Sequence, residues 1–120
     1  MKVKAYYLSS CDTCKRILKE VELHALIEKQ DLKKTPLTEE QLSKLYQLSG
    51  SYEGLFSKIA RKYKELDLKN KNLTEQEIKV YLLSDYTFLK RPVFVSDKDI
   101  FIGNSKQTVE KLINYLKTNG

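Results

Sequence analysis

Cys11-Asp12-Thr13-Cys14 sets two thiols with two residues between them, a spacing that suits redox chemistry, and these are the only cysteines in the chain. The thiolate is the reactive form, and an unperturbed cysteine near pKa 8.5 is only about 3% ionised at pH 7. Lowering the pKa to ~6.5 raises that fraction to about three-quarters. The start of a helix can supply such a shift, because its first N–H groups lack partners and its dipole end is positive. Asp12 opposes the shift, whereas Lys15 and Arg16 favour it. A structural zinc site needs four ligands, and one cysteine pair with the single histidine, His24, falls short within one chain. A purely structural disulfide closing so short a loop would remove little chain entropy. The bland alternative is two small residues that pack at a helix start.

The elements around the motif are those a redox site requires. Val3-Lys4-Ala5-Tyr6-Tyr7-Leu8 reads as a strand, Ser9-Ser10 as a turn, and Lys15 to Val21 carries apolar residues at helical spacing. Leu23 to Ile27 is expected to form a second strand, with His24 a half-exposed strand residue rather than a ligand or base. Lys33-Lys34-Thr35-Pro36 breaks the pattern. Thr38-Glu39-Glu40-Gln41 has the form of a capping box, and Gly50 suits a left-handed helix end. Leu55 to Leu66 reads as a third helical stretch, and Thr74-Glu75-Gln76-Glu77 opens another helix with the same capping signature. The period then changes. Val93-Phe94-Val95 and Ile100-Phe101-Ile102 are short strands around a Ser96–Asp99 turn, and Ser105 can cap a last helix.

The expectation is an α/β fold and a single domain over residues 1–120. Two α/β halves, about 1–34 and 86–120, flank a helical insert at about 38–85. No run approaches the ~18 apolar residues of a membrane span, and no signal-peptide core opens the chain, so no membrane and a reducing, cytoplasmic location are expected. Net charge is +6, but arginine occurs only at Arg16, Arg61 and Arg91. Base readout leans on arginine, so no direct nucleic-acid partner is expected, and the Lys58–Lys71 stretch reads as a solvated helix face.

Arg91-Pro92, just ahead of an apolar strand, is the second constellation. Proline belongs at a strand's first position, and an arginine there could clamp an oxyanion or carboxylate. Base rates for X–Pro bonds favour trans. The whole order of strand, CxxC, helix, strand, helical insert, Arg-Pro strand, hairpin and helix resembles the ArsC/Spx family. The most specific pieces are Cys11-Asp12-Thr13-Cys14-Lys15, Tyr63-Lys64-Glu65-Leu66, and Leu89-Lys90-Arg91-Pro92-Val93-Phe94-Val95 followed by Ile102-Gly103.

That resemblance implies a thioredoxin-like fold with a small mixed four-stranded sheet and a helical insert. It implies Cys11 as nucleophile, Arg91 facing it, and a cis Arg91–Pro92 bond. The arsenate reductases of the family carry a lone cysteine in this loop, whereas Spx, like this chain, has two. Their histidine before the nucleophile corresponds to Tyr7, and two of their oxyanion-binding arginines fall on Ser57 and near Gly103. Only Arg91 of that arginine set is matched, so a dianion such as arsenate would meet a depleted cationic pocket.

The resulting expectation is a thiol-dependent reductase acting on an oxyanion or disulfide through Cys11, Cys14 and Arg91. Asp12, Thr13, Lys15, Arg91 and Pro92 would form the substrate or oxyanion site, with the N–H groups from Asp12 to Cys14 holding negative charge. No metal or bound cofactor is called for; glutathione, or a thioredoxin or glutaredoxin, would donate electrons. The alternative is a Spx-like redox-sensing regulator that binds the RNA polymerase α subunit.

Overall fold

Alternation along an extended segment puts Val3 and Ala5 of β1 (Val3–Tyr7) on one face of a sheet, where both are buried. In the computed structural model, which describes residues 2–119, β1 lies inside a four-stranded sheet of order β2-β1-β3-β4. β2 (Ile27–Asp31) runs parallel to it, with Val3 opposite Ile27 and Tyr7 opposite Asp31. β3 (Val93–Val95) is antiparallel on its other side, and β4 (Ile100–Ile102) completes the sheet as the second strand of a hairpin. In the hairpin turn, the Ser96 N–H donates to Asp99 O at 2.9 Å. The sheet is therefore mixed, as expected.

Between β1 and β2 runs α1 (Asp12–Glu22), and after β4 comes α5 (Lys106–Asn119). Ile17, Leu18 and Val21 of α1 join Leu112 and Leu116 of α5, Val3, Ala5 and Phe94 in one apolar core. These helical positions recur every three or four residues, which lays them along a single stripe facing the sheet. Ser105 caps α5 by accepting the Thr108 N–H at 3.1 Å.

The described chain divides into two compact units. One comprises residues up to Thr35 together with those from Arg91 onward, and the other is Pro36–Lys90. The second unit holds α2 (Glu39–Ser49), α3 (Arg61–Glu65) and α4 (Glu75–Ser84), with 3₁₀ turns at Glu53–Leu55, Leu68–Asn70 and Tyr86–Phe88. Both expected capping boxes form. Thr38 accepts the Gln41 N–H at 3.1 Å, Thr74 accepts the Glu77 N–H at 3.2 Å, and each third-position side chain reaches back to the cap. Gly50 ends α2 in the left-handed region at φ +83°. Phe56, stacked on Phe88 with ring centroids 5.4 Å apart, centres an aromatic cluster with Tyr63 and Tyr81.

Two expectations give way. The second strand lies not at Leu23–Ile27 but at Ile27–Asp31, because the Leu23 and His24 N–H groups still bond to the Glu20 and Val21 carbonyls as the helix ends. Leu23 and Leu26 are 81% and 93% exposed, and His24 is a half-buried turn residue. Leu55–Leu66 is likewise not one helix. Phe56 bridges to Leu89, and the Ser57 N–H donates to Phe88 O at 2.7 Å, so pairing with a distant stretch of the same chain holds Phe56 extended, and residues 58–60 turn before α3 begins. Within the Lys58–Lys71 stretch, Lys58 pairs with Glu53, Arg61 with Glu65 and Lys62 with Asp85.

Candidate active site

The chain leaves β1 at Tyr7 and turns once, the Cys11 N–H closing the turn on Leu8 O at 3.1 Å. Cys11 keeps an extended backbone, φ −100° and ψ 111°, and so occupies the position just before α1. Asp12, Thr13 and Cys14 form the first turn of the helix. Capping side chains accept from the second and third helical N–H groups, here those of Thr13 and Cys14. The Cys11 thiol makes no formed capping bond; both N–H groups act on the sulfur by favouring its anion.

The two free cysteines occupy different environments: Cys11 is half-buried and Cys14 only 1% exposed. Burial pushes the Cys11 pKa upward, but it is outweighed, and the net shift is down. The Cys14 N–H, the Cys14 thiol, the Arg91 charge and the Thr13 N–H all favour the thiolate. Cys14 goes the other way. Burial above all, joined by the neighbouring Cys11, pushes it up to about 11, against the Leu8 N–H and Arg91. The two thiols are thus displaced in opposite senses: the surroundings favour the Cys11 anion and the protonated form of Cys14.

Arg91 lies two residues before β3, is half-buried, and carries the positive charge that bears on both sulfurs. Its bond to Pro92 is cis, as the family resemblance implied and against the base rate for such bonds. Pro92 O accepts the Gly103 N–H at 2.9 Å, so Gly103, at φ +93°, lies beside the Arg91–Pro92 entry. Lys15 is turned to other use: its Nζ lies 3.5 Å from the exposed Asp12 carboxylate. The cationic help weighed for Lys15 and Arg16 comes instead from Arg91. Tyr7 packs against the core of the sheet, and Ser57 is a buried residue of the Pro36–Lys90 unit.

Asp31, at the end of β2, was not singled out from sequence. Its carboxylate accepts the Ser9 hydroxyl at 2.5 Å and the Ser9 N–H at 3.3 Å, which anchors the turn leading to Cys11. The available signal was an aspartate two residues before Lys33, a residue type that readily accepts the backbone N–H two residues on, as Asp31 does here. Among the described residues, no group of three or more His, Cys, Asp or Glu side chains is placed to hold a metal ion. Nor is any described helix long and apolar enough to cross a membrane.

The mixed sheet and its flanking helices define a thioredoxin-like α/β protein. The ArsC family pattern matches residues 6–112, and the chain belongs to that family of thiol reductases. Its reductases draw electrons from thiol donors and work with small redox proteins such as glutaredoxin or thioredoxin. An ArsC family related protein from Bacteroides fragilis superimposes with a TM-score of 0.79 at 28% identity, covering 93% of this chain and 98% of that one. SACOL0876 from Staphylococcus aureus gives 0.76 at 29% identity, covering 91% and 96%. An arsenate reductase from Vibrio cholerae shares the fold with a TM-score of 0.78 at 20% identity, covering 95% of this chain and 97% of that one. No curated protein matches the chain in sequence.

Proposed function

We propose that this protein is a dithiol reductase in which Cys11 is the attacking sulfur and Cys14 the resolving one. The observation that carries this reading is the placement of the two free thiols, Cys11 half-buried at the position before α1 and Cys14 buried in its first turn, which displaces the first downward in pKa and the second up to about 11. In the first step the Cys11 thiolate attacks one sulfur of a disulfide, forming a mixed disulfide and expelling the other sulfur as a thiolate. That step removes the Cys11 negative charge, which is one of the influences holding the proton on Cys14. Cys14 then gives its proton to the expelled thiolate and attacks Cys11 Sγ, which breaks the mixed disulfide and releases the second substrate sulfur as a thiolate. Two electrons have passed to the substrate, and the Cys11–Cys14 disulfide is reduced again by glutathione or a small dithiol protein. With an oxyanion substrate, Cys11 would attack the central atom and one oxygen would leave, protonated, as water; attack of Cys14 on Cys11 Sγ would then break the sulfur–substrate bond, its electron pair leaving with the two-electron-reduced oxyanion. Arg91 and the N–H groups of Thr13 and Cys14 would hold the negative charge, with Asp12, Lys15 and Pro92 framing the site.

A reduction assay tests this reading. Purified protein is offered arsenate, glutathione mixed disulfides and oxidised protein thiols, with glutathione, glutaredoxin or thioredoxin as donor. Turnover that vanishes in Cys11→Ser and stalls as a mixed disulfide in Cys14→Ser is the expected result. No turnover on any substrate, with the Cys11–Cys14 disulfide still forming under oxidant, would move the assignment to the redox-sensing regulator. Co-purification with the RNA polymerase α subunit would then be its check.

A further inference from the structure

The Ser9–Cys11 turn has no regular secondary structure of its own, yet it must hold one sulfur against the N–H groups of α1. Within the turn, the Cys11 N–H to Leu8 O bond closes the backbone. The external anchor is Asp31. Oδ2 accepts the Ser9 hydroxyl at 2.5 Å, while Oδ1 accepts the Ser9 N–H at 3.3 Å and the Lys33 N–H at 3.2 Å. Asp31 is itself fixed at the parallel β1–β2 pairing, opposite Tyr7, where the Leu32 N–H continues the ladder to Tyr7 O at 2.8 Å. The Lys34 and Thr35 N–H groups both return to Asp31 O, at 3.1 and 2.8 Å, so its backbone is held on the far side as well.

We infer that Asp31 is a positioning residue for Cys11: its carboxylate, through Ser9, sets the turn that seats the sulfur against the Thr13 and Cys14 N–H groups. This inference rests on the reading of Cys11 as the activated thiol. Asp31 does not touch the sulfur and acts only through the loop. A carboxylate serves here because all three groups facing it are donors, and an ionised carboxylate is acceptor-only. Asparagine has the same shape, and its oxygen can keep both N–H groups, but its NH₂ must donate to the Ser9 hydroxyl, which reverses that bond and removes the charge assistance from all three. Four influences favour the ionised carboxylate: the Ser9 hydroxyl, the Ser9 N–H, the Lys33 N–H and the Lys34 charge. Its burial opposes ionisation, and the Ser9 and Lys33 donors together with Lys34 overcome it, leaving the pKa below the ordinary aspartate value.

The charge and the geometry of Asp31 have opposite signs at Cys11, which makes the inference separable. Deleting a nearby negative charge by itself would favour the Cys11 thiolate. Loosening the turn would disfavour it, by taking the sulfur away from its N–H donors. The test is the rate of Cys11 alkylation by iodoacetamide from pH 5 to 10 in the wild type, Asp31→Asn and Ser9→Ala, with folding checked by circular dichroism. Both substitutions are expected to move the Cys11 midpoint upward. At pH values below it, the rate should fall about tenfold per unit of rise. Ser9→Ala keeps the carboxylate and removes only the hydroxyl, so it carries the test if Asp31→Asn does not fold. Variants with an unchanged or lowered midpoint, beside a wild type whose midpoint is low, would overturn the inference and leave the proposed function standing. A wild-type midpoint at the ordinary thiol value would overturn the activated-thiol reading itself, and the positioning role with it.

Discussion

Cys11 and Cys14 are the same residue type three positions apart, and their environments separate them. A site on the open side of a helix start meets N–H groups and a guanidinium, whereas one turned into the core loses water. The consequence for stability can be read from the sign. In the unfolded chain Cys14 loses its proton near the ordinary thiol value, while in the folded protein it keeps it up to about 11. Between those values the unfolded state binds fewer protons, so the Cys14 contribution to stability falls as the pH rises. About two units correspond to about 3 kcal/mol lost over that range. Cys11 works in the opposite sense: its lowered pKa adds stability as the pH climbs from its folded value to the ordinary one. Urea unfolding of reduced protein at pH 8 and pH 11, compared with Cys14→Ala, checks this. The wild type should lose more stability than the variant across the interval.

At the scale of elements, the chain is most legible where a local chemical rule sets a boundary. The Thr38 and Thr74 capping boxes and the left-handed Gly50 all follow from the needs of unpaired helix-end groups. Gly50→Ala leaves ample room for a methyl group but keeps φ at +83°, and it should cost about 1–2 kcal/mol from backbone strain alone. Thr74→Ala should cost about 1 kcal/mol by removing a cap. Thermal or urea denaturation measures both, and near-additive losses in the double variant are expected. β2 was misplaced because it is an edge strand, paired on one side only, and its Ile-Glu-Lys-Gln-Asp sequence shows no apolar alternation. The apolar residues just before it, Leu23 and Leu26, face solvent instead.

The whole molecule decides what one segment cannot, above all that Arg91, far along the chain, acts on the sulfurs of the first helix. The route is visible in the sheet. β3 lies antiparallel beside β1, with Val93 opposite Tyr6, so the entry to β3 lies toward the end of β1 from which the Cys11 turn departs. Charge-assisted hydrogen bonds from such an arginine are worth about 1.5–3 kcal/mol each. Arg91→Ala is therefore expected to lower kcat/KM for an anionic substrate by roughly 10- to 150-fold and to raise the Cys11 midpoint. Steady-state kinetics beside the alkylation profile would reveal it, and wild-type values in both would remove Arg91 from the site.

By itself, the sequence determined the chemistry on offer and most of the frame: a CxxC after a strand, capped helices, a hairpin, and an Arg-Pro strand entry. These are local signals, each set by a few neighbouring residues and their hydrogen-bonding needs. Only the tertiary structure decided how deeply each sulfur is buried, that the Lys15 ammonium lies beside Asp12 while the Arg91 charge bears on both sulfurs, and that Asp31 anchors the turn. Those outcomes depend on burial and on pairings between strands distant in sequence, and neither is written in the composition of any one segment.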